Sequence, residues 1–495
     1  MLNNISSVLK RHWDKILLAT GIITYIIVLT SLSIARHDAF ASRYDLSNMD
    51  QTLYYTLQGH FFQLRFPDEL VSRFSIHADI ILALLAPIYL IWDNVRMLLI
   101  VQSIFLALGA IPVYLLTRSV TKSKVVAVAM SAVYLLNPGM QLTNIYDFHG
   151  IALAIPFLLF AFYFAYIKSW KWYWIFIFLS LLTKENVSLT VVILGILLFF
   201  IFRERKIGIV SIIIGLLWFI AMVVIVMPHF TLAGNLWALE GLGEAGNDSL
   251  LTIFRKNLNP ISFAETFLIS KETLDYYILL LRQFAFLPII GIPWFILALP
   301  EIVINVLRGT TSIVFHYDSG VIPGMVIATI FALSYVKRLF LRFKITKKYA
   351  QAGLYLATAM LFLYALRVNY HYSPLPTTPS CSCYIYNVTP EDREFEKALQ
   401  AIPRDASITA SLEIRPHVSH REFAFNLPSA TQSAEYIALI TQNRMVSNYN
   451  PKEYENVLIP QLMDSIKHKL IFKSEHFYLF ERTSEKSEIH NSGGI

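Results

Sequence analysis

The sequence contains very little cysteine and little charge for its length. Only two of its 495 residues are cysteine, Cys381 and Cys383, and a single residue separates them. A disulfide between such close positions would be strained, so we expect none, and the cysteines indicate no redox compartment. Charged residues make up 15% of the chain, whereas soluble globular proteins carry about 25%. This shortage of charge excludes an ordinary soluble protein.

Signatures of several enzyme classes are also missing. The chain has no P-loop, no dinucleotide-binding fingerprint in a strand–turn–helix context, no serine nucleophile elbow and no cysteine–histidine run for a structural zinc. It also lacks the paired broken helices of many secondary transporters. The net charge of +7 falls mostly in short loops, so it indicates no nucleic-acid partner.

Long apolar runs dominate what is present, since 56% of the residues are hydrophobic. They predict a mainly α fold, a polytopic helical membrane bundle with about 11 transmembrane helices. Several runs are shorter than the roughly 20 residues that a straight span prefers, and these suit helices packed inside a bundle. The predicted spans are 16–35, 97–117, 123–138, 150–167, 171–183, 186–202, 208–228, 276–291, 292–307, 319–336 and 348–367.

Positive charge orients the bundle, because lysine and arginine collect in cytoplasmic loops. Basic clusters occur at 10–15, 118–124, 168–171, 203–206 and 337–348. All five fall on one side if the apolar run 76–92 lies on the membrane surface instead of crossing it. We therefore predict a multi-pass protein of the cell membrane with a cytoplasmic N-terminus and an external C-terminal domain.

The composition divides the chain into four parts. Residues 1–368 form the predicted transmembrane domain, whose external loop 36–96 contains surface helices. Residues 369–390 form a stiff linker that contains Pro374, Pro376 and Pro379. Residues 391–482 have the pattern of a small external α/β domain, with strands expected near 407–411 and 436–440. Residues 483–495 are predicted to be a disordered tail.

Two groups of residues outside the predicted spans could perform acid–base or metal chemistry. Arg43, Asp45 and Asp50 follow the first span. Asp45 could instead cap a helix, and Asp50 could be a solvated surface acid. Asp147 and His149 lie two residues apart in a polar break between apolar runs, and these residue types are suitable metal ligands. An interfacial pair bonded to the backbone is the structural alternative.

Further polar residues have the chemistry of an anion site. Lys184 and Glu185 lie between two short apolar runs, where a charge is costly unless an opposite charge or a bound anion offsets it. A structural ion pair between two helices is the alternative. His77 begins the run 76–92, and His316 and Tyr317 lie in another short polar segment. Ordinary interfacial roles are equally consistent with these last residues.

The order of these motifs resembles the membrane-protein family DUF2079, and the resemblance covers nearly the whole chain. Each motif is weak alone, whereas their order is specific. The motifs are Tyr44 to Gln51, His77 to Tyr89, Gln102, Tyr134 to Pro138, Asp147 to His149, Lys184-Glu185, Leu299 to Glu301, His316-Tyr317, Ile402 to Ser407 and Pro416 to Arg421.

The family is similar in layout to the GT-C glycosyltransferases, which include protein O-mannosyltransferases, lipid A aminoarabinose transferases and oligosaccharyltransferase catalytic subunits. This resemblance implies a polyprenyl-phosphate sugar donor and an essential acid in the first external loop, Asp45 or Asp50. It also implies that Asp147 and His149 bind a divalent cation (Mg²⁺, Mn²⁺ or Zn²⁺). The chain has Asp50-Gln51 where mannosyltransferases have Asp-Glu, and its external domain lacks a Trp-Trp-Asp signature. A protein, lipid or polysaccharide acceptor remains open.

The leading hypothesis is an inverting membrane glycosyltransferase that uses a lipid-phosphate sugar on the external face. Asp45 or Asp50 would act as the general base, and Arg43, His77, Lys184, Glu185, His316 and Tyr317 would bind phosphate or substrate. The alternatives are a transporter or flippase of a lipid-linked or small polar solute, and a non-catalytic membrane scaffold. A path across the membrane would need polar residues at mid-bilayer depth, and few are found there.

Overall fold

The computed structural model describes residues 2–66, 69–231, 259–343, 346–379, 381–442, 444 and 454–483. Most of these residues are helical, and a small β-sheet lies towards the C-terminal end, so the predicted mainly α fold is confirmed. Of the predicted tail 483–495, all but the first residue lies outside the described residues.

The helices include short 3-10 and π segments. Their bounds are Leu2–Asp38, Tyr44–Leu57, Arg73–Ser75, Ile81–Leu85, Ala86–Leu90, Arg96–Leu108, Ala110–Thr121, Lys124–Leu135, Pro138–Ile145, Gly150–Leu153, Ala154–Tyr166, Trp170–Leu181, Val187–Phe200, Arg205–Phe219, Ile220–Val226, Met227–Phe230, Pro260–Ala264, Glu265–Ile269, Lys271–Arg282, Leu287–Ile289, Ile292–Phe295, Ile296–Ala298, Leu299–Arg308, His316–Asp318, Val321–Arg342, Lys347–Tyr372, Cys383–Tyr386, Pro390–Gln400, Arg415–Val418, Tyr454–Leu458 and Ile459–Met463.

Five of the helical segments in the described residues are long and apolar enough to cross a membrane. They are Lys10–Asp38, Arg96–Thr121, Arg205–Phe230, Val321–Arg342 and Lys347–Tyr372. The bent pair Lys124–Leu135 and Pro138–Ile145 makes a sixth if it is one span. The predicted number of about 11 is therefore not confirmed.

The segment Arg205–Phe230 has an apolar surface that suits contact with lipid. In the segment Arg205–Phe230, the side chains of Ile213, Leu217, Val224 and Ile225 are exposed. A contiguous apolar face of this size is unfavourable in water and stable against acyl chains.

The apolar run 76–92 forms only a short helix, Ile81–Leu90. Ten residues of helix extend roughly 15–20 Å, whereas the hydrocarbon core of a bilayer is about 30 Å thick. This segment is too short to cross a membrane, and its predicted position on the surface stays a prediction.

Proline breaks the region predicted as the continuous spans 276–291 and 292–307. The helix Lys271–Arg282 ends early, and short pieces follow that have Pro288, Pro293 and Pro300 in their first turns. Proline has no N–H and clashes with the preceding turn, so each one begins a new piece instead of continuing the helix. Neither predicted span is therefore one continuous helix.

The chain divides into two compact units. The first unit comprises residues 1–30, 74–81 and 100–381, and the second comprises residues 31–73, 82–99 and 382–495. The second unit thus contains most of the predicted external loop together with the C-terminal residues. This division differs from a domain made of residues 391–482 alone.

In its described residues, the second unit contains two sheets. Strands β1 (Gln63–Arg65) and β2 (Leu70–Ser72) form an antiparallel pair. The other sheet has the order β4-β3-β5-β7-β6, and its strands are β3 (Ile408–Ala410), β4 (Ala424–Asn426), β5 (Tyr436–Ile440), β6 (His468–Lys473) and β7 (Phe477–Arg482). Strand β3 is parallel to β4 and β5, and the remaining pairs are antiparallel. Apolar residues of β3, β5 and β7 form the core of this sheet.

The expectation about cysteine was wrong. Cys381 and Cys383 are both disulfide-bonded, and the sequence contains no other cysteine.

Candidate functional site

Lys184 and Glu185 lie in the break between two short apolar helices of the first unit, and both are buried. The Glu185 carboxylate accepts a hydrogen bond from the Ala78 N–H, with 3.1 Å between N and Oε2, and its Oε1 lies 3.1 Å from Nδ1 of His77. Burial alone would raise the pKa of Glu185, but His77 and Lys184 hold it well below its usual range. Glu185 is therefore a charged group that anchors residues 77 and 78.

Three segments of the first unit pack closely around this break. The Ile81 N–H donates to the Leu182 carbonyl over 2.8 Å. A Cβ at Gly150 would lie 3.1 Å from the Thr183 carbonyl oxygen and 3.3 Å from the Cβ of Asp79. Only glycine fits here without displacing a neighbour, so residues 77–81, 149–150 and 182–185 form one site.

Lys184 has a charge without a direct partner. Its side chain is only 7% exposed, and its ammonium forms no hydrogen bond or ion pair with the residues that the structure describes. Burial lowers the pKa of Lys184, and its electrostatic neighbours are Glu185, Arg308, Glu301 and Asp79. Removing an ammonium from water without pairing it costs several kcal/mol. A bound anion would offset this cost.

Two histidines stack beside this lysine. The rings of His149 and His316 lie 3.7 Å apart and nearly parallel, and the Tyr146 ring stacks on His149 at 5.5 Å. The buried Nδ1 of His316 has no hydrogen-bond partner among the described residues. Burial, His149, Lys184 and the other nearby basic groups keep the pKa of His316 well below its usual range. A neutral imidazole retains one N–H that can donate to an anion.

We call Lys184, Arg308, His77, His149 and His316 the basic cluster, because each contributes to the electrostatics around His316. Arg308 is the last residue of its helix, where a cation interacts favourably with the helix dipole. Lys184 lies just before the helix Val187–Phe200, whose N-terminus favours an anion. Lys184 and Arg308 thus bring two cations to a place that also contains the carboxylates of Glu185 and Glu301.

Gln102 holds the turn that contains Asp147 and His149. Its Nε2 donates to the Asp147 carbonyl at 2.7 Å, and its Oε1 accepts from the His149 N–H at 2.9 Å. Asp147 has a φ of 137°, a conformation that side-chain-bearing residues rarely adopt. Strain of this kind persists only where surrounding contacts enforce it. Gln102 supplies such contacts and is a positioning residue for His149.

The residues around Asp147 do not form a three-ligand metal centre. Across the described ranges, no three His, Cys, Asp or Glu side chains are grouped so as to hold a metal ion. The Nδ1 of His149 lies 3.5 Å from the backbone oxygen of Asp147. The predicted cation on Asp147 and His149 stays a prediction.

Acidic residues complete the surroundings of the basic cluster. The Oε2 of Glu301 accepts a hydrogen bond from the Asn186 amide at 2.6 Å. The Oδ1 of Asp318 accepts from the Tyr276 hydroxyl at 2.5 Å, and its buried Oδ2 has no partner among the described residues. Burial and the neighbouring Glu301 raise the pKa of Asp318 to about 7, against the hydrogen bond from Tyr276. Asp318 can therefore exchange a proton near neutral pH.

Tyr317 lies beside the basic cluster. Its ring centroid is 4.5 Å from that of His316, and its backbone carbonyl accepts a hydrogen bond from Asn305. The side chain is half-buried. The predicted contact of Tyr317 with phosphate or substrate stays a prediction.

Asp50 lies in the second unit and is completely buried. Its Oδ1 accepts from the Tyr89 hydroxyl at 2.7 Å and lies 3.0 Å from Nδ1 of His420, and its Oδ2 accepts from Ser419 at 2.7 Å. Burial would lower the pKa of His420, but Asp50 and Asp93 outweigh it and raise this pKa. The contacts of Asp50 therefore connect the segment around Ser419 to the helix Tyr44–Leu57.

Arg43 and Asp45 also lie in the second unit, at the start of that helix. Arg43 is the N-cap residue, without a capping side-chain bond, and Asp45 lies in the first turn. Asp45 is therefore not the cap, but the helix dipole favours its carboxylate in the first turn. Asp45 is half-buried, in contrast to the enclosed Asp50.

The structure thus brings together His77, Lys184, Glu185 and His316 of the predicted site, and it adds His149 to them. Sequence reasoning did not assign roles to Arg308, Gln102, Asp318 or His420. Gln102 and His420 were nevertheless within the recognised motifs, and the polarity of Gln102 inside an apolar helix was an available signal. No pattern in the sequence distinguished Asp318, because its raised pKa results from burial in the folded protein.

The family model described as "Predicted membrane protein (DUF2079)" matches residues 36–476. A comparison with curated proteins finds no match.

Two similar solved structures are of ArnT from Cupriavidus metallidurans. One is bound to undecaprenyl phosphate and is 11% identical, with a TM-score of 0.49, covering 94% of this chain and 97% of that one. The other is in the apo state and is 11% identical, with a TM-score of 0.47, covering 93% and 98%. Both TM-scores are below 0.5, so neither match supports an argument about fold or activity.

Proposed function

This chain belongs to the DUF2079 family of predicted membrane proteins, and we propose that it is a GT-C-type glycosyltransferase with a polyprenyl-phosphate sugar donor. The observation that supports this proposal is the buried Lys184, whose ammonium has no hydrogen bond or ion pair among the described residues. In this proposal the basic cluster binds the phosphate of the donor.

The charges around Lys184 favour a bound anion over a purely structural role. Glu185, the nearest candidate for a partner, already interacts with His77 and the Ala78 N–H. Glu301 accepts a hydrogen bond from Asn186. A phosphate oxygen would give Lys184 and the unpartnered Nδ1 of His316 charge-assisted hydrogen bonds, which are worth about 1.5–3 kcal/mol each.

The surroundings of the cluster suit a lipid phosphate better than a soluble one. Lys184 lies between Trp170–Leu181 and Val187–Phe200, two helices composed mainly of apolar residues. An anion held at this break has apolar side chains within reach for a polyprenyl chain. The positions of the charged loops support an external location for the reaction.

The proposed reaction is a single displacement at the anomeric carbon. The acceptor hydroxyl oxygen forms a bond to C1 of the sugar while the bond from C1 to the phosphate oxygen breaks. The electron pair leaves with the polyprenyl phosphate, and the hydroxyl proton passes to a carboxylate. The leaving phosphate gains one negative charge, which the fixed ammonium and imidazole groups of the basic cluster stabilise most in the transition state. A single displacement inverts the anomeric configuration.

Asp45 is the better candidate for the general base. Asp50 is enclosed, and three neighbouring side chains occupy its two oxygens, so a positioning role suits it. Asp45 is half-buried. The assignment of Asp45 to the acceptor proton rests on the sequence resemblance and on this difference in exposure.

A divalent cation is not assigned to any step of this reaction. The described residues contain no group of three suitable side chains, so the proposal uses the basic cluster for charge neutralisation. A cation held by Asp147 and His149 would add Lewis-acid stabilisation of the phosphate.

Transfer by the purified protein in nanodiscs, with undecaprenyl-phosphate sugars as donors and a panel of lipid and peptide acceptors, tests the proposal. We expect transfer that is lost in Asp45→Asn, strongly reduced in Lys184→Gln and retained in Lys171→Gln. Lys171 is exposed at the opposite end of the helix that precedes Lys184, so it controls for loss of a lysine. Full activity of the first two variants would contradict the mechanism.

A further inference from the structure

His420 lies between two carboxylates in the second unit. Its Nδ1 is 3.0 Å from Oδ1 of Asp50, and its Nε2 is 2.5 Å from Oδ1 of Asp93. The side chain of Asp50 is completely buried, that of His420 is 19% exposed and that of Asp93 is 49% exposed. The imidazole therefore connects an enclosed carboxylate of the helix Tyr44–Leu57 with a carboxylate at the surface.

Both contacts together require the charged form of His420. A neutral imidazole donates from one nitrogen and accepts at the other, whereas an imidazolium donates from both. Burial alone would raise the pKa of Asp93, but the Arg404 guanidinium and His420 lower it, so Asp93 is an ionised acceptor. A neutral ring would direct a lone pair at one of the two carboxylates. The imidazolium instead donates to both, and such charge-assisted hydrogen bonds are roughly twice as strong as neutral ones.

Neighbouring side chains favour the same protonation state. The hydroxyls of Tyr89 and Ser419 each donate to Asp50 at 2.7 Å, as suits an ionised carboxylate. The rings of Tyr54 and Tyr89 contact the imidazole with their centroids 4.9 and 5.0 Å from its own, so they shield it partly from water. Partly buried charge pairs are screened less than exposed ones.

The charges around His420 balance only when its ring is protonated. Nη1 of Arg404 donates to Oδ2 of Asp93 at 2.8 Å. The carboxylates of Asp50 and Asp93 therefore face one guanidinium and one imidazole, and a neutral imidazole would leave one negative charge unbalanced. The two residues that follow in the chain have opposite charges and do not change this balance, and they are Arg421 and Glu422.

We propose that His420 is a positioning residue for the proposed reaction, and that its imidazolium holds the helix Tyr44–Leu57 in place by joining Asp50 to Asp93. The helix contains Asp45 in its first turn, so this inference rests on the proposed function. When the ring loses its proton, a lone pair faces a carboxylate over 3.0 Å or less. The repulsion separates the ring from that carboxylate, and the helix is then held less firmly.

The stabilisation by His420 is lost as the pH rises. Burial opposes the charged form, but Asp50 and Asp93 raise the pKa of His420 above its ordinary value of 6.5. The folded protein therefore binds this proton more tightly than the unfolded chain does, so the stabilisation is complete below about pH 6.5. It disappears as the pH rises through the pKa of the folded state.

Two measurements on the full-length protein in nanodiscs test the proposal between about pH 6 and 9. Thermal unfolding without ligand gives the apparent Tm, and transfer from undecaprenyl-phosphate sugars gives the rate. We expect both to decline above about pH 6.5. His420→Gln should have a lower Tm and a lower rate at about pH 6.5, and it should lose most of this decline. His476→Gln is the matched control, because His476 is another partly buried histidine of the same unit.

Replacement of the surface carboxylate gives a second test that leaves the interior intact. Asp93→Asn removes one of the two carboxylates that raise the pKa of His420, so the midpoint of the decline should move down by about 1 pH unit. Asp464→Asn alters an exposed acid of the same unit and should leave the midpoint unchanged. If His420→Gln fails to fold, the shift in Asp93→Asn decides the proposal.

The outcomes separate the contact of His420 from the proposed function. A wild-type Tm without a decline above about pH 6.5, an equal decline in His420→Gln, or an unchanged midpoint in Asp93→Asn would overturn the charged contact. A transfer rate that stays constant while the Tm declines would overturn the positioning role. Absence of transfer at every pH would contradict the proposed function, and the Tm series would still decide the contact of His420.

Discussion

Replacement of Lys184 by methionine should change ligand binding and stability in opposite directions. The substitution keeps most of the side-chain length and removes the charge. In the ligand-free protein, Glu185 retains its interactions with His77 and the Ala78 N–H, so no buried carboxylate loses its hydrogen bonds. A structural ion pair would behave differently, because breaking one typically costs about 3–5 kcal/mol.

The magnitudes follow from the burial and pairing of Lys184. Replacement of a buried charge by an apolar group of similar size ranges from neutral to about 1–4 kcal/mol stabilising, and we expect the lower part of this range because Glu185 and Glu301 already attract the ammonium. The loss of a charge-assisted hydrogen bond to phosphate, about 1.5–3 kcal/mol, weakens binding by roughly 10- to 150-fold.

Two measurements on the same nanodisc preparations check this prediction. Thermal unfolding gives the apparent Tm without ligand, and titration with undecaprenyl phosphate gives its Kd. Lys171→Met is the matched control, since Lys171 is exposed at the other end of the preceding helix. We expect an equal or higher Tm and a much larger Kd for Lys184→Met alone. A lower Tm together with an unchanged Kd would refute the assignment of Lys184 to an anion.

Three other predictions concern the second unit and the Asp147 turn. Asp50→Asn should lower the free energy of unfolding by about 3 kcal/mol, because it removes a buried carboxylate that three neighbouring side chains contact. Asp45→Asn should abolish transfer and cost less than about 0.5 kcal/mol of stability. Thermal unfolding and the transfer assay separate the two variants, and equal losses of stability would contradict the distinction. Gln102→Leu should weaken binding of undecaprenyl phosphate and lower the Tm, because the Asp147 carbonyl and the His149 N–H lose their partner, and an unchanged Kd would exclude Gln102 as a positioning residue. Burial raises the pKa of Glu413 from its ordinary value of 4.5 to about 7 in the folded protein, so folding favours the protonated form. The free energy of unfolding should therefore fall as the pH rises from about 4.5 to 7, by roughly 3 kcal/mol at most. Glu413→Gln should remove this decline when unfolding is measured against pH, and an identical decline in the variant would place its origin elsewhere.

Local patterns in the sequence predicted much of the secondary structure and the membrane character. The apolar β-branched segments around Ile408 and Tyr436 are strands, as expected. The run before Trp92 contains only a short apolar helix, and its position on the membrane surface stays a prediction. The helical breaks at Pro288 and Pro293 were missed because hydropathy dominated the prediction, although proline itself was a sufficient signal.

The candidate site was predictable only in part. Lys184 was identifiable, since a charge between two apolar runs is costly wherever it lies. The sequence could not show that Lys184 lacks a hydrogen-bond partner. Glu185 is adjacent to it and yet interacts with His77, more than a hundred residues away. The engagement of Asp50 by Ser419 and His420 likewise depends on long-range packing that no local pattern contains.

The central claim is that the basic cluster binds a lipid phosphate. Cryo-electron microscopy of the protein in nanodiscs with undecaprenyl phosphate tests it most directly. We predict a phosphate oxygen within about 3 Å of Nζ of Lys184 and close to the unpartnered Nδ1 of His316. A phosphate bound elsewhere in the protein, with Lys184 still unpaired, would contradict the claim.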